Sequence, residues 1–207
     1  VTEAFRDSQH RVKSMALVHE KLYQSEDMVS VDFADYIKNL VDYLFQSYSL
    51  DSGKVSLKLD VEKVFLGMDT AVPLGIIVNE LVSNSLKHAF AGEKEGEIYI
   101  ELHRSKELNS NKENSTSQEK NPGSSGKRKS RYPNNERTGH NGAVQNCQDR
   151  LTLIVRDNGM GFPEKLDFRN TTSLGLQLVT TLVDQIEGEI ELDRSRGTGF
   201  KIRFFRS

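Results

Sequence analysis

The chain has 207 residues, 28 of them Lys or Arg and 30 Asp or Glu, for a formal charge of -2. That balance argues against a nucleic-acid or anionic-membrane surface, while the length allows one large or two small domains with a proper core. A single cysteine, Cys147, excludes an intramolecular disulfide and a cysteine metal cluster, which suits a reducing cytoplasm, and no run is long enough to span a bilayer.

A start at Val1 rather than Met reads as a fragment of a longer protein. The first segment, residues 1–26, holds a helix from about Ala4 to Gln24. Phe5, Val12, Met15, His19 and Leu22 follow at alternating spacings of three and four, with Ser8 as a gap. That narrow seam suits a helical hairpin or a dimer bundle. His10 falls off the seam and is expected to be exposed, whereas His19 lies on it and reads as a packed interior histidine.

After a break from Asp27 to Asp32, the residues Phe33, Ile37, Leu40, Val41, Leu44 and Phe45 mark a second amphipathic helix reaching about Tyr48. The turn Asp51-Ser52-Gly53 leads to a half-buried strand, Val55, Leu57, Leu59 and Val61 alternating with polar residues. Phe65, Leu66 and Met68 then lead into a helix from Val72 to Phe90. Leu74, Ile77, Val78, Leu81, Val82 and Leu86 give it one apolar stripe, and Pro73 is expected in its first turn. On its other side Glu80, Asn84, Lys87 and His88 fall at intervals of three and four, so a carboxylate, an amide and two potential cations share a face. A carboxylate and an amide can hold a hard divalent cation or a water, and Lys and His can meet phosphate oxygens. Alone, this face reads equally as a solvated one.

Gly96 opens another strand, with Ile98, Ile100 and Leu102 alternating with polar residues. Residues 105–148 are rich in Ser, Asn, Lys, Glu and Gly and nearly free of aliphatic side chains, so they read as a disordered polar insertion. Its Lys127, Arg128, Lys129 and Arg131 read as a solvated charge run, with an acidic partner as the alternative, and His140 and Cys147 do not make a metal pair. Leu151, Leu153 and Val155 form a strand that runs into Asp157-Asn158-Gly159-Met160-Gly161. A short polar loop follows, and Ser173 is placed to cap a helix from Leu174 with Leu176, Val179, Leu182, Val183 and Ile186 inward and Gly188 at its end. Strands from Glu189 to Asp193 and from Phe200 to Phe205 flank the turn Arg194-Ser195-Arg196-Gly197-Thr198-Gly199. The expected fold of residues 31–207 is α+β, a two-layer sandwich of a mixed sheet with helices on one face.

Four separated segments carry one chemistry. Besides the Glu80–His88 face, the Asp157 carboxylate can accept from an exocyclic amine such as that of adenine, and Gly159 and Gly161 leave room for a flat ring. Ser173-Leu174-Gly175-Leu176 sets a glycine at a helix start, where backbone N–H groups receive phosphate, and Gly197-Thr198-Gly199 is a second close-approach turn. Singly, each is also an ordinary turn or helix start.

The set resembles the GHKL ATP-binding fold of gyrase-type, heat-shock chaperone and mismatch-repair ATPases and of sensor histidine kinases. Asn79-Glu80-Leu81-Val82-Ser83-Asn84 with Lys87-His88 looks like the N box. Asp157-Asn158-Gly159-Met160-Gly161, Leu174-Gly175-Leu176 and Gly197-Thr198-Gly199 look like the glycine boxes. The resemblance runs from about Phe33 to Phe205 without the insertion, and is closest to sensor histidine kinases of the second HisKA type. Ser8-Gln9-His10-Arg11-Val12-Lys13-Ser14-Met15-Ala16-Leu17-Val18-His19-Glu20-Lys21-Leu22-Tyr23 is similar to their second dimerisation helix, and Pro73-Leu74-Gly75 and Ser173-Leu174-Gly175-Leu176-Gln177-Leu178-Val179 to their wording.

The resemblance implies ATP and Mg²⁺ as ligands, with Asn84 on the metal and Glu80 orienting a nearby water. It implies Lys87 and His88 on the phosphates, Asp157 on the adenine amine, and Gly159, Gly161, Leu174, Gly175, Leu176, Gly197 and Thr198 around the nucleotide. The implied reaction is transfer of the γ-phosphoryl to a histidine, then to a response-regulator aspartate, by a cytoplasmic homodimer joined through a helical bundle. The acceptor histidine is expected upstream of this chain, although His10-Arg11-Val12-Lys13 imitates the acceptor motif. A GHKL hydrolase or serine kinase, or a nucleotide-sensing dimerisation module without catalysis, would use the same pocket. The loop from Gly161 to Ser173 is short for an ATP lid.

Overall fold

Alternation along the strands decides which side of the sheet is covered. In the computed structural model the described residues are 2–23, 30–48, 55–90, 95–105 and 149–206. They belong to one compact unit, residues 1–106 with 148–207, while a second unit, 107–147, lies outside the described residues and holds His140, Cys147 and most of the expected insertion. The side chains of His19 and Leu22 are likewise not described.

Helix α1 (Thr2–Tyr23) is followed by a short strand β1 (Ser30–Asp32), helix α2 (Phe33–Ser47), strands β2 (Val55–Val61) and β3 (Phe65–Gly67), and helix α3 (Met68–Asn84). A π-helical turn (Ser85–Ala89) continues α3, and β4 (Gly96–Ser105), β5 (Arg150–Asp157), helix α4 (Leu174–Gln185), β6 (Glu189–Asp193) and β7 (Gly199–Phe205) complete the chain. The five-stranded sheet has the order β2-β4-β5-β7-β6, with β2 parallel to β4 and the other pairs antiparallel. The expected mixed sheet is therefore present. A separate antiparallel pair, β1 with β3, forms where only a break and a lead-in were expected.

Register stacks the apolar positions. Leu102 faces Leu153, which faces Ile202, which faces Ile190, and Ile100, Val155 and Phe200 form the next row. All seven are 5% exposed or less, and each fully buried Leu, Ile or Phe stabilises the fold by about 1.5–3 kcal/mol. Positions of the other parity carry charge. Arg156 lies 4.5 Å from the Tyr99 ring centroid and pairs with Glu101 at 3.0 Å.

Helix α3 is the central helix. Every residue from Pro73 to Ser83 is buried, so the solvated-face alternative fails for Glu80, which is 5% exposed. The helix begins at Met68, earlier than expected, so Pro73 sits within it rather than in the first turn. The expected terminator of α4 also differs. Glu187 takes the left-handed conformation (φ 51°), and the Gly188 N–H bonds to the Val183 carbonyl at 2.9 Å.

Helix α1 is docked, and this overturns the expected exposure of His10. His10 is 3% exposed, its ring 5.8 Å from that of Tyr43 and 5.1 Å from that of Tyr48 on the α2 side. The seam residues Phe5, Val12 and Met15 are the exposed ones, at 64%, 66% and 46%. Among the described residues, no helix is long and apolar enough to cross a membrane.

Candidate functional site

Strand parity and one helix turn bring the predicted residues together. Leu151, Leu153 and Val155 point inward along β5, and Asp157 is the next residue of that parity, opposite Ile98 at the strand end. A carboxylate thus occupies a core-facing position, 2% exposed. Its Oδ2 accepts from the Ser85 hydroxyl at 2.7 Å, and its Oδ1 from the N–H groups of Gly159 at 3.0 Å and Thr198 at 3.2 Å. Three donors satisfy the buried charge and leave it acceptor capacity, since an ionised carboxylate has about four lone-pair sites.

Ser85 opens the π-helical turn. The wider turn buries Ser85, Leu86 and Ala89 beneath the sheet and leaves Lys87 half-buried and His88 exposed. Single π-helical turns inside helices recur at functional sites because they re-aim side chains without ending the helix.

A cavity of about 350 Å³ is bounded by Asn84, Ser85 and His88 from this helix, Asp157 at the end of β5, Gly161 after it, and Thr198 before β7. Leu81, Val155, Met160, Phe162, Leu176 and Phe200 are among its apolar walls, a lining suited to a flat ring. Phe162, Pro163 and Leu166 come from the short loop, so it does cover one side. Within that loop Asp167 accepts from the Arg169 N–H and the Asn170 amide, and these bonds, the backbone one foremost, hold its carboxyl below its ordinary value.

A second cavity of about 300 Å³ is lined by Glu80, Lys87, Leu174 and Gly175, together with Asn84, His88 and Ser173, which it shares with the first. Asn84 and Asp157 therefore face one cavity, and the carboxylate–amide–cation face opens on its neighbour.

Two predicted glycines work differently. A Cβ on Gly159 would stand 2.4 Å from the Ala89 carbonyl oxygen, and one on Gly197 2.1 Å from that of Asp157. Each is bare so that backbone can meet backbone, whereas Gly161 lines the cavity. Ser173 stands at the α4 N-cap but makes no side-chain capping bond, contrary to expectation. His10 lines neither cavity.

Sequence reasoning missed Ser85 and Arg11. Ser85 falls seven residues after Val78 and four after Leu81, on the apolar stripe, and a hydroxyl there was the available signal. Arg11 gave none, because its partner Glu80 is 69 residues away.

No cluster of three or more His, Cys, Asp or Glu able to hold a metal occurs among the described residues. Asn84 lines both cavities and offers an amide oxygen, a donor type that Mg²⁺ accepts alongside oxygens from substrate and solvent.

Comparison with known proteins follows the same line. Residues 1–48 match the family model HisKA_2, a histidine kinase family. Sensor histidine kinase PdtaS of Mycobacterium tuberculosis is 27% identical over 205 residues, 97% of this chain and 32% of its own length. Blue-light-activated histidine kinase 2 of Erythrobacter litoralis is 25% identical over 96% of this chain and 46% of its own. The chain thus spans about a third to under half of these relatives. The histidine kinase domain of an Erythrobacter litoralis blue-light-activated histidine kinase superposes with a TM-score of 0.67 over 98% of this chain and 81% of that one, at 19% identity. The chain is thus similar to sensor histidine kinases along nearly its whole length, with the HisKA_2 match confined to residues 1–48, and it has the fold of a histidine kinase domain of the GHKL type.

Proposed function

We propose that this chain is the ATP-binding catalytic part of a sensor histidine kinase, which transfers the γ-phosphoryl of ATP to a histidine and thence to a response-regulator aspartate. The observation that carries this reading is the cavity shared by Asn84 and Asp157, with the Glu80, Lys87 and His88 face adjoining it. Asp157 retains acceptor capacity for the adenine amine, between walls that fit a flat ring. Asn84, at the junction of the two cavities, holds Mg²⁺, and Lys87 and His88 meet phosphate oxygens. A cation bound there screens the charge of the phosphates. Glu80, Gly161, Leu174, Gly175, Leu176 and Thr198 complete the lining, and Gly159 and Gly197 fix its backbone.

His10 is packed against two tyrosines and lines neither cavity, which supports an acceptor histidine other than His10. The exposed stripe Phe5, Val12 and Met15 supports a homodimer through a helical bundle. The supply of ATP puts the domain in the cytoplasm.

Calorimetric binding of a nonhydrolysable ATP analogue, with and without Mg²⁺, tests the reading. Asn84→Ala is expected to lose the magnesium-dependent part of the affinity, and equal affinities for this variant and the wild type in Mg²⁺ would overturn the assignment. When an acceptor helix is supplied in trans, the transferred label is expected to be acid-labile and to survive His10→Ala. An acid-stable label would point to a serine kinase instead.

A further inference from the structure

The second cavity contains a cation that does not belong to the sheet domain. Arg11 of α1 donates from Nε to Glu80 Oε1 at 2.7 Å and from its terminal nitrogen to Oε2 at 2.9 Å. The fork is largely withdrawn from solvent, with side-chain exposures of 18% for Arg11 and 7% for Glu80. Asn79 adds a third donor to Oε1 at 3.0 Å. Glu80 Oε2 also lies 2.5 Å from where a Cβ of Gly175 would stand, so the pair sits at the start of α4. The same cavity is lined by Asn79 and Ser83, whose buried Oδ1 and Oγ have no hydrogen-bond partner among the described residues.

Charge makes this arrangement informative. A bare carboxylate at Glu80 would repel the phosphates that the neighbouring Asn84, Lys87 and His88 are suited to receive. Arg11 cancels that charge, and a guanidinium fork matches phosphate oxygens as well as carboxylate oxygens.

We propose that Arg11 reads the terminal phosphate of a nucleotide in the candidate site, neutralising Glu80 and sharing its fork with that phosphate when a triphosphate extends into the second cavity. This inference rests on the ATP-binding reading and adds to it a specificity residue carried on the helical arm. A triphosphate is then held jointly by α1 and the sheet domain, and a diphosphate by the sheet domain alone.

The test is calorimetric binding of Mg²⁺ with AMP-PNP or with ADP to the 207-residue chain and to its Arg11→Lys, Arg11→Gln and Arg11→Gln/Glu80→Gln variants. Thermal melts report folding in parallel. Loss of one charged hydrogen-bonding contact lowers AMP-PNP affinity by about 10- to 100-fold in Arg11→Gln, with ADP affinity within about twofold of wild type. Arg11→Lys, which keeps the charge without the fork, is expected to fall between the two and serves as the reading if Arg11→Gln melts early. The double variant is expected to regain part of the AMP-PNP affinity because Glu80 no longer repels. Equal losses for both nucleotides would reduce Arg11 to a docking contact and overturn the proposal, as would unchanged binding of both. A wild-type chain that binds neither nucleotide would overturn the ATP-binding reading itself, and this proposal with it.

Discussion

The Ser85 hydroxyl donates to Oδ2 of Asp157 at 2.7 Å, joining the end of the central helix to the end of a central strand across 72 residues. Both groups are buried, so the bond is shielded from water. Ser85→Ala would leave Oδ2 without this donor, and a hydrogen bond to a charged group contributes about 1.5–3 kcal/mol. Urea denaturation of Ser85→Ala is expected to show a loss of that size, and an unchanged midpoint would mean that Ser85 is dispensable to the site.

Asp157→Asn separates structure from recognition. The amide can keep its oxygen on the Gly159 and Thr198 N–H groups and turn its NH₂ toward the Ser85 oxygen, so stability is expected to stay within about 1 kcal/mol of wild type. An amide nitrogen cannot accept from the adenine amine. If Asp157 binds that amine, wild type prefers ATP over ITP and the variant loses the preference, about 10-fold for one hydrogen bond to charge. Competition binding of the two nucleotides measures it.

The two glycines that let backbone meet backbone differ in how much a methyl group would disturb. On Gly197 a Cβ would meet the Asp157 carbonyl oxygen at 2.1 Å, and the residue has φ +83°, where a side chain is strained in any case. On Gly159 the clash is with the Ala89 backbone at 2.4 Å, whose carbonyl also accepts from the Met160 N–H. Gly197→Ala is therefore expected to cost more than Gly159→Ala, whose overpacking costs about 1–3 kcal/mol. Thermal melts of the two variants should rank in that order.

Much of this fold was legible because its signals are local. Alternation in β4, β5 and β7 and the stripe of α3 depend only on neighbours along the chain, and the DNG and GTG turns mark strand ends. Helix spacing likewise put Glu80, Asn84, Lys87 and His88 on one cavity. What escaped depends on distant partners. His10 is buried because α1 folds back onto α2, and the seam pattern cannot say which face of a lone helix finds a partner first. Gly159 reads as space for a ligand until Ala89 is seen to fill that space. The π-helical turn that aims Ser85 at Asp157 leaves no periodic trace, being a single turn.

Acid should loosen the loop that carries Asp167. Asp167 has its folded value held below 3.8 by the Arg169 backbone N–H and by the Asn170 amide. A carboxyl lowered on folding contributes stability that is present above its unfolded value and is lost as pH falls through its folded one. The 3₁₀ turn Phe168–Asn170 is thus expected to stay intact at neutral pH and to release below about pH 4. Amide chemical shifts of Arg169 and Asn170 followed against pH check this, and Asp167→Asn should remove most of the dependence.

Docking of the arm can be tested without any nucleotide. The Tyr36 hydroxyl on α2 donates to the Ser14 carbonyl on α1 at 3.1 Å, and burial raises the pKa of this phenol well above its usual value, so it remains a donor at every pH the fold survives. Tyr36 has room only because Gly75 of α3 lacks a side chain, since a Cβ there would lie 2.0 Å from the hydroxyl oxygen and 2.7 Å from the ring carbon bearing it. Tyr36→Phe removes one hydrogen bond, which is worth about 0.5–1.5 kcal/mol net, and leaves the ring packed. Gly75→Ala forces a rigid ring to move and is expected to cost more, as overpacking of a buried site does, about 1–3 kcal/mol. If α1 is docked through this contact, both variants raise hydrogen exchange in α1 while β5 and β7 stay protected, and Gly75→Ala raises it further. Uniform loss of protection across the sheet would instead mean that the arm and the sheet unfold as one unit.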